Sequence, residues 1–168
     1  AIIPWGDAYD RTLTDAWLVD HHPVLVTMIY GLFGWVSDQL TGTWMAGVAI
    51  FTAIAGILHC IAFTSSVAYL RRIGVSPALC FAAYLFFALM PFVPTWAMCM
   101  VKDSFFGLFY VPYFMMMIET VRTRGKFLTK RSHVVWFVVL ALILCLTKKQ
   151  GIFMVVITAA VGCFAFWW

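Results

Sequence analysis

The sequence predicts an all-α, polytopic transmembrane protein with an acidic outer loop and an interfacial helix ahead of its first complete span. The 168 residues are 64% hydrophobic and only 11% charged, whereas soluble domains carry roughly 25% charged residues. Several apolar runs approach the ~20 residues that a helix needs to cross a ~30 Å hydrocarbon layer. The charges are also unevenly placed, since seven of the eleven Lys/Arg lie in two short connectors.

The predicted elements follow in order along one transmembrane domain, residues 1–168. Residues 1–22 form the acidic outer loop, and residues 23–37 are apolar but only fifteen long, about 22 Å as a helix. Because that length is short for a span, we expect 23–37 to lie in the membrane interface. Later spans are predicted at about 44–70, 77–101, 104–121, 134–147 and 151–168.

The basic connectors orient these spans. Lys and Arg concentrate in cytoplasmic loops, so both connectors, 71–74 and 120–133, are predicted to be cytoplasmic. Lys102-Asp103 and Lys148-Lys149 then lie on the outer side together with the acidic loop. Residues 134–147 are short for a span; if Lys148-Lys149 instead lies at membrane depth, it needs a partner or a wet cavity. Pro91 and Pro94 predict a bent or looped end to 77–101.

Composition and motifs exclude several function classes. The net charge of +4 is modest and its basic residues lie in the membrane connectors, so no nucleic-acid partner is predicted. The sequence has no P-loop, GxSxG or HExxH motif, which argues against an ATPase, a serine hydrolase or a zincin. No CxxC pair occurs among the five cysteines. The chain starts without Met and stops within an apolar run, so we expect it to be an excerpt of a longer protein.

The acidic loop is the first candidate site. Asp7 and Asp10 are three residues apart, so on a helix they share one side. Together with His21 and His22 they are candidates to hold Mg²⁺ or Mn²⁺, or to act as general base toward an acceptor hydroxyl. The alternative is that these acids simply populate a solvated loop, and that the histidines mark the water boundary.

Two further charged clusters are predicted on the same side. Lys148-Lys149-Gln150 interrupts two strongly apolar runs, and cations there suit the phosphate of a lipid-linked donor. The alternative is a short turn with snorkelling lysines. Lys102-Asp103 is either a self-neutralising pair at a turn or a second part of the same charged level. His59 and Glu119 are isolated polar residues of the apolar runs, and the sequence assigns them no role.

The order of these motifs resembles the GT-C class of multi-spanning glycosyltransferases, which includes protein O-mannosyltransferases and aminoarabinose transferases. It looks closest to an uncharacterised bacterial branch of GT-C-like membrane proteins. The resemblance rests on the acidic loop GDAYDRTLTDAW, the following DHHPVLVTMIYGLFGW, a span ending in RR, a Pro-broken helix leading to KDSFFG, and a later TKKQG. It differs from the commoner HPP pattern because Val24 follows Pro23.

The resemblance implies a plasma-membrane enzyme that transfers a sugar from a polyprenyl-phosphate carrier to a cell-envelope glycan, lipid or protein on the outer face. Asp7 or Asp10 would be the catalytic or metal-binding acid, and His21 and His22 would match the HP motif. Lys148 and Lys149 would bind the donor phosphate, with Lys102 and Asp103 secondary. A transporter or flippase of an anionic lipid or solute, or a non-catalytic assembly subunit, is the alternative.

Overall fold

A computed structural model describes residues 23–167, and every regular element within that range is a helix. The predicted all-α class is therefore confirmed for this part of the chain. The elements are α1 (Val24–Thr41), α2 (Trp44–Arg72), α3 (Pro77–Leu89), α4 (Phe92–Ala97), α5 (Lys102–Arg122), a 3₁₀ helix (Lys126–Thr129), α6 (Arg131–Thr147) and α7 (Gly151–Trp167).

Helices α1 and α2 form a tight antiparallel hairpin. Gly42 ends α1 in the left-handed conformation, with φ +67°, which glycine adopts without steric cost. The two backbones approach so closely that a Cβ on Gly47 would lie 2.3 Å from the carbonyl oxygen of Phe33. The buried Ser37 hydroxyl accepts a hydrogen bond of 2.8 Å from the Gly47 N–H. Helix α1 therefore continues past residue 37 and packs along α2. Its predicted position in the membrane interface stays a prediction.

Helices α2 and α5 are long and apolar enough to cross a membrane, with 29 and 21 residues. They run parallel, because His59 of α2 meets Ser104 near the start of α5, and Tyr69 of α2 meets Glu119 near its end. Helix α2 extends roughly 20 Å beyond the start of α5, and this extension packs against α1. The core there includes Tyr30, edge-to-face with the ring of Phe51.

The predicted 77–101 span is divided into two helices. Helix α3 ends at Leu89, and the short α4 begins at Phe92 after Pro91. Proline has no N–H and its ring clashes with the preceding turn, so it ends or bends a helix. Both pieces pack against α2.

Helices α6 and α7 complete the arrangement beside α5. Helix α6 runs antiparallel to α5, with the rings of Tyr113 and Phe137 stacked 5.0 Å apart. Helix α7 returns, and Thr158 forms a 2.7 Å hydrogen bond with the Tyr113 hydroxyl. As a result, the ends of α2 and α5 and the start of α6, which carry the basic connectors, lie together; we call this the connector end.

Candidate functional site

The structure brings two of the predicted charged clusters into direct contact. Lys148, just after α6, places its Nζ 2.8 Å from Oδ1 of Asp103 in the first turn of α5. The Lys148 side chain is 27% exposed and that of Asp103 is 50% exposed, although the contacting oxygen Oδ1 is itself buried. The same Nζ lies 5.7 Å from the centre of the Phe106 ring, within the range of a cation–π contact.

Local sequence explains why Asp103 is available to Lys148. Helix α5 begins at Lys102 after the extended residue Val101, which provides no side-chain cap. A carboxylate in the first turn is favoured by the exposed N–H groups and the helix dipole. Asp103 therefore stabilises the start of α5 while its Oδ1 faces the lysine.

The TKKQG turn fixes Lys148 from the other side. Thr147 is fully buried and its hydroxyl donates to the carbonyl of Leu144 at 3.1 Å. The Gly151 N–H donates to the carbonyl of Lys148 at 2.8 Å. A Cβ on Gly151 would lie 2.0 Å from the Leu144 carbonyl oxygen, so this turn requires glycine. The glycine lets α7 start directly beneath the last turn of α6.

The remaining predicted residues of these clusters are accessible. Lys149 and Gln150 are exposed and Lys102 is half-buried. Within residues 23–167, none of these three side chains forms a hydrogen bond or ion pair. Lys102, Lys148 and Lys149 against Asp103 sum to a net charge of +2. The arrangement therefore offers uncompensated cations and amide donors to an anion.

The other predicted site residues lie outside the described range. They are Asp7, Asp10, His21 and His22, so neither their contact with Lys148 nor their binding of Mg²⁺ or Mn²⁺ is tested. Residues 23–167 bring together no group of three or more His, Cys, Asp or Glu side chains suited to a metal ion. Asp103 supplies a single carboxylate next to a lysine, which does not fit a divalent cation, and no metal step is derived from it.

His59, to which the sequence assigned no role, is buried between α2 and α5. It is 1% exposed, with Nδ1 2.8 Å from the Ala55 carbonyl oxygen and Nε2 3.2 Å from that of Ser104. A neutral imidazole carries one N–H and donates to only one of these oxygens. The second contact joins α2 to the residue next to Asp103. An isolated ionisable residue inside an apolar run was the available signal.

Residues 12–165 match DUF6020, described as a family of unknown function. The chain belongs to the DUF6020 family. No curated protein and no solved structure matches it. The family therefore assigns no activity, and function has to be argued from the residues.

In this DUF6020 chain, the contact between Asp103 and Lys148 is suited to binding rather than to bond-making. Lysine ammonium groups stabilise phosphate oxygens as point charges. The contact with Asp103 restricts the position of the Lys148 side chain, while the exposed Lys149 side chain is accessible to a ligand. The site as described can hold an anionic group.

Proposed function

We propose that the protein is a multi-pass plasma-membrane glycosyltransferase of GT-C type that uses a polyprenyl-phosphate sugar donor. The observation that carries this proposal is the contact between Asp103 and Lys148. It joins two charged motifs that lie 45 residues apart in the sequence (148 − 103). Their joint position at the end of α5 opposite the connector end agrees with a charged level on the outer face.

Membrane insertion is supported by where the apolar side chains lie. Only 33% and 39% of the most apolar windows of α2 and α5 are buried. Large apolar side chains are exposed on several helices. Examples are Ile57 on α2, Phe86 on α3, Trp136 on α6 and Phe153 on α7. Soluble monomers rarely expose such extended apolar surface, whereas a lipid-facing helix requires it.

The helix lengths support a position of the ion pair near one membrane boundary. Asp103 and Glu119 are separated by about 24 Å along α5. With the connector end at one surface of a ~30 Å hydrocarbon layer, the Asp103–Lys148 pair lies just inside the opposite surface. A lysine at that depth needs a partner, and Asp103 provides it. The same depth suits a phosphate whose polyprenyl chain runs into the bilayer.

In the proposed reaction, the chain's cations act on the leaving group. Lys148 and Lys149 bind the donor phosphate, and Gln150 donates hydrogen bonds to its oxygens. As the bond from sugar to phosphate oxygen breaks, negative charge grows on the phosphate, and fixed cations stabilise it. Asp7 or Asp10 would take the proton from the acceptor hydroxyl as the new glycosidic bond forms. His21 and His22 would contribute to the same outer site.

The test is sugar transfer by the full-length protein from a panel of radiolabelled polyprenyl-phosphate sugars. We expect turnover of one donor, loss of turnover in Asp7→Asn or Asp10→Asn, and a roughly tenfold higher donor KM in Lys148→Gln, equivalent to about 1.4 kcal/mol. Arg131→Gln removes the same charge at the connector end and should leave KM unchanged.

Two outcomes would contradict the proposal. Consumption of no donor, even with Mg²⁺, Mn²⁺ and crude envelope acceptor present, would favour the transporter or flippase alternative, which is then tested by lipid movement in vesicles. Full activity in a variant with Asp7, Asp10 and Asp15 all changed to Asn would remove the proposed base.

A further inference from the structure

A pocket with both charged and apolar walls opens at the connector end, about 24 Å along α5 from Asp103. It has a volume of about 610 Å³ and is bounded by the last turns of α2 and α5, the 3₁₀ helix and the start of α6. Its polar lining includes Tyr69, Arg72 and Glu119. The outer charged clusters do not extend to it, and the proposed glycosyl transfer does not use it.

The single carboxylate of this pocket is already neutralised. The Arg122 guanidinium donates two hydrogen bonds to the Glu119 carboxylate, from Nη2 to Oε1 at 2.6 Å and from Nε to Oε2 at 2.8 Å. The Tyr69 hydroxyl donates to the same Oε2 at 2.8 Å. Two-pronged contact with a guanidinium is the strongest carboxylate pairing available. Glu119 is therefore paired with Arg122, and among the other cations of the pocket Arg72 is attracted to it only through space.

Three cations line the pocket without such a partner: Arg72, Lys126 and Lys130. Each is exposed, and none of them forms an ion pair or a side-chain hydrogen bond in the part of the chain that the structure describes. The chain turns back to deliver two of them, because Gly125 adopts a left-handed φ of +79° directly before the 3₁₀ helix. Three cations that line one pocket beside a neutralised carboxylate favour an anion.

The remaining walls are apolar. Met115 and Met116 of α5 and Phe127 of the connector line the pocket beside His133. The rings of Phe127 and His133 stack 4.1 Å apart, and His133 Nδ1 lies 2.8 Å from the Phe127 carbonyl oxygen. This contact holds the aromatic wall in place. An inorganic anion gains nothing from contact with these apolar side chains, whereas the acyl chain of a lipid buries them.

We infer that this pocket binds an anionic glycerophospholipid at the connector end, with the phosphate held by Arg72, Lys126 and Lys130 and an acyl chain along Met115 and Phe127. Basic pockets between membrane helices bind acidic headgroups in this way. The bound lipid links the ends of α2 and α5 to the start of α6. The site does not require glycosyl transfer, but it rests on the proposed insertion in a membrane.

The experiment measures lipid retention by the full-length protein in detergent, using native mass spectrometry with phosphatidic acid or phosphatidylcholine. The pocket variant combines Arg72→Gln, Lys126→Gln and Lys130→Gln. The charge-matched control combines changes at three exposed connector residues outside the pocket lining: Arg71→Gln, Arg124→Gln and Arg131→Gln. A third arm adds inorganic phosphate as competitor.

We expect phosphatidic acid to be retained over phosphatidylcholine, with retention falling roughly tenfold or more in the pocket variant and less than threefold in the control. Equal loss in both variants would show diffuse surface attraction and overturn the site. Retention of phosphatidylcholine equal to that of phosphatidic acid would show that the acyl chains alone account for lipid binding. Displacement by an equal concentration of inorganic phosphate would assign the pocket to a soluble anion instead.

Discussion

The contact between Asp103 and Lys148 makes a quantitative prediction, because its two partners can be neutralised separately and together. At 2.8 Å, two unit charges attract by about 1.5 kcal/mol in water. Partial exposure and the entropy of holding a lysine reduce the net value to ~0.5–1 kcal/mol. We therefore expect a coupling free energy of that size between Asp103→Asn and Lys148→Gln.

The single changes should differ from each other. Lys148→Gln also removes the contact with the Phe106 ring, worth about 0.5–1 kcal/mol. Asp103→Asn also removes a carboxylate from a helix N-terminus, worth about 0.3–1 kcal/mol. A double-mutant cycle cancels these separate contributions and leaves the pair alone.

The assay is equilibrium unfolding of the full-length protein in one detergent for the wild type, both single variants and the double variant. Lys149→Gln is the matched control, since this adjacent lysine is exposed and should couple to Asp103 within about 0.3 kcal/mol of zero. A coupling for Lys149 as large as that for Lys148 would refute the specific contact. A coupling of zero for Lys148 would refute it as well.

Two further changes test the packing around this contact. Gly56→Ala is the shared control, because a Cβ on Gly56 would lie 3.7 Å from Met98, an ordinary van der Waals distance. Gly151→Ala should lower the free energy of unfolding by about 1–3 kcal/mol through its clash with the α6 backbone; a melting temperature equal to that of the control would contradict the tight turn. His59→Leu should lower it by about 0.5–1.5 kcal/mol, because the buried imidazole loses its hydrogen bond to the carbonyl oxygen of Ala55 or Ser104. In that case, stability equal to the control would show that the link between α2 and α5 contributes nothing.

Much of the helical organisation was predictable from local sequence. The apolar runs and the prolines near residue 91 predict where helices form and where one is broken, because hydropathy and the missing proline N–H act over a few residues. Helix α1 shows the limit of such reasoning. Its apolar run ends near residue 37, but the helix continues to Thr41 since Gly42 and the backbone contact at Gly47 determine its end.

The candidate sites divide in the same way. The sequence identified Lys102-Asp103 and Lys148-Lys149 as anomalous charges, because an ion in an apolar run is costly and therefore conspicuous. It did not pair Asp103 with Lys148, nor did it assign a role to His59 or Glu119. Those pairings depend on the parallel register of α2 and α5 and on the antiparallel return of α6, which is set by packing between residues far apart in the chain.

By itself, then, the sequence determined the helical class, the grouping of cations in two connectors, and the presence of a few charges that need partners. Only the tertiary structure decided which partners they have. Side-chain contacts between helices depend on register and rotation, which hydropathy does not encode. For this reason the Asp103–Lys148 pair and the connector-end pocket beside the Glu119–Arg122 pair emerge only when the helices are packed together.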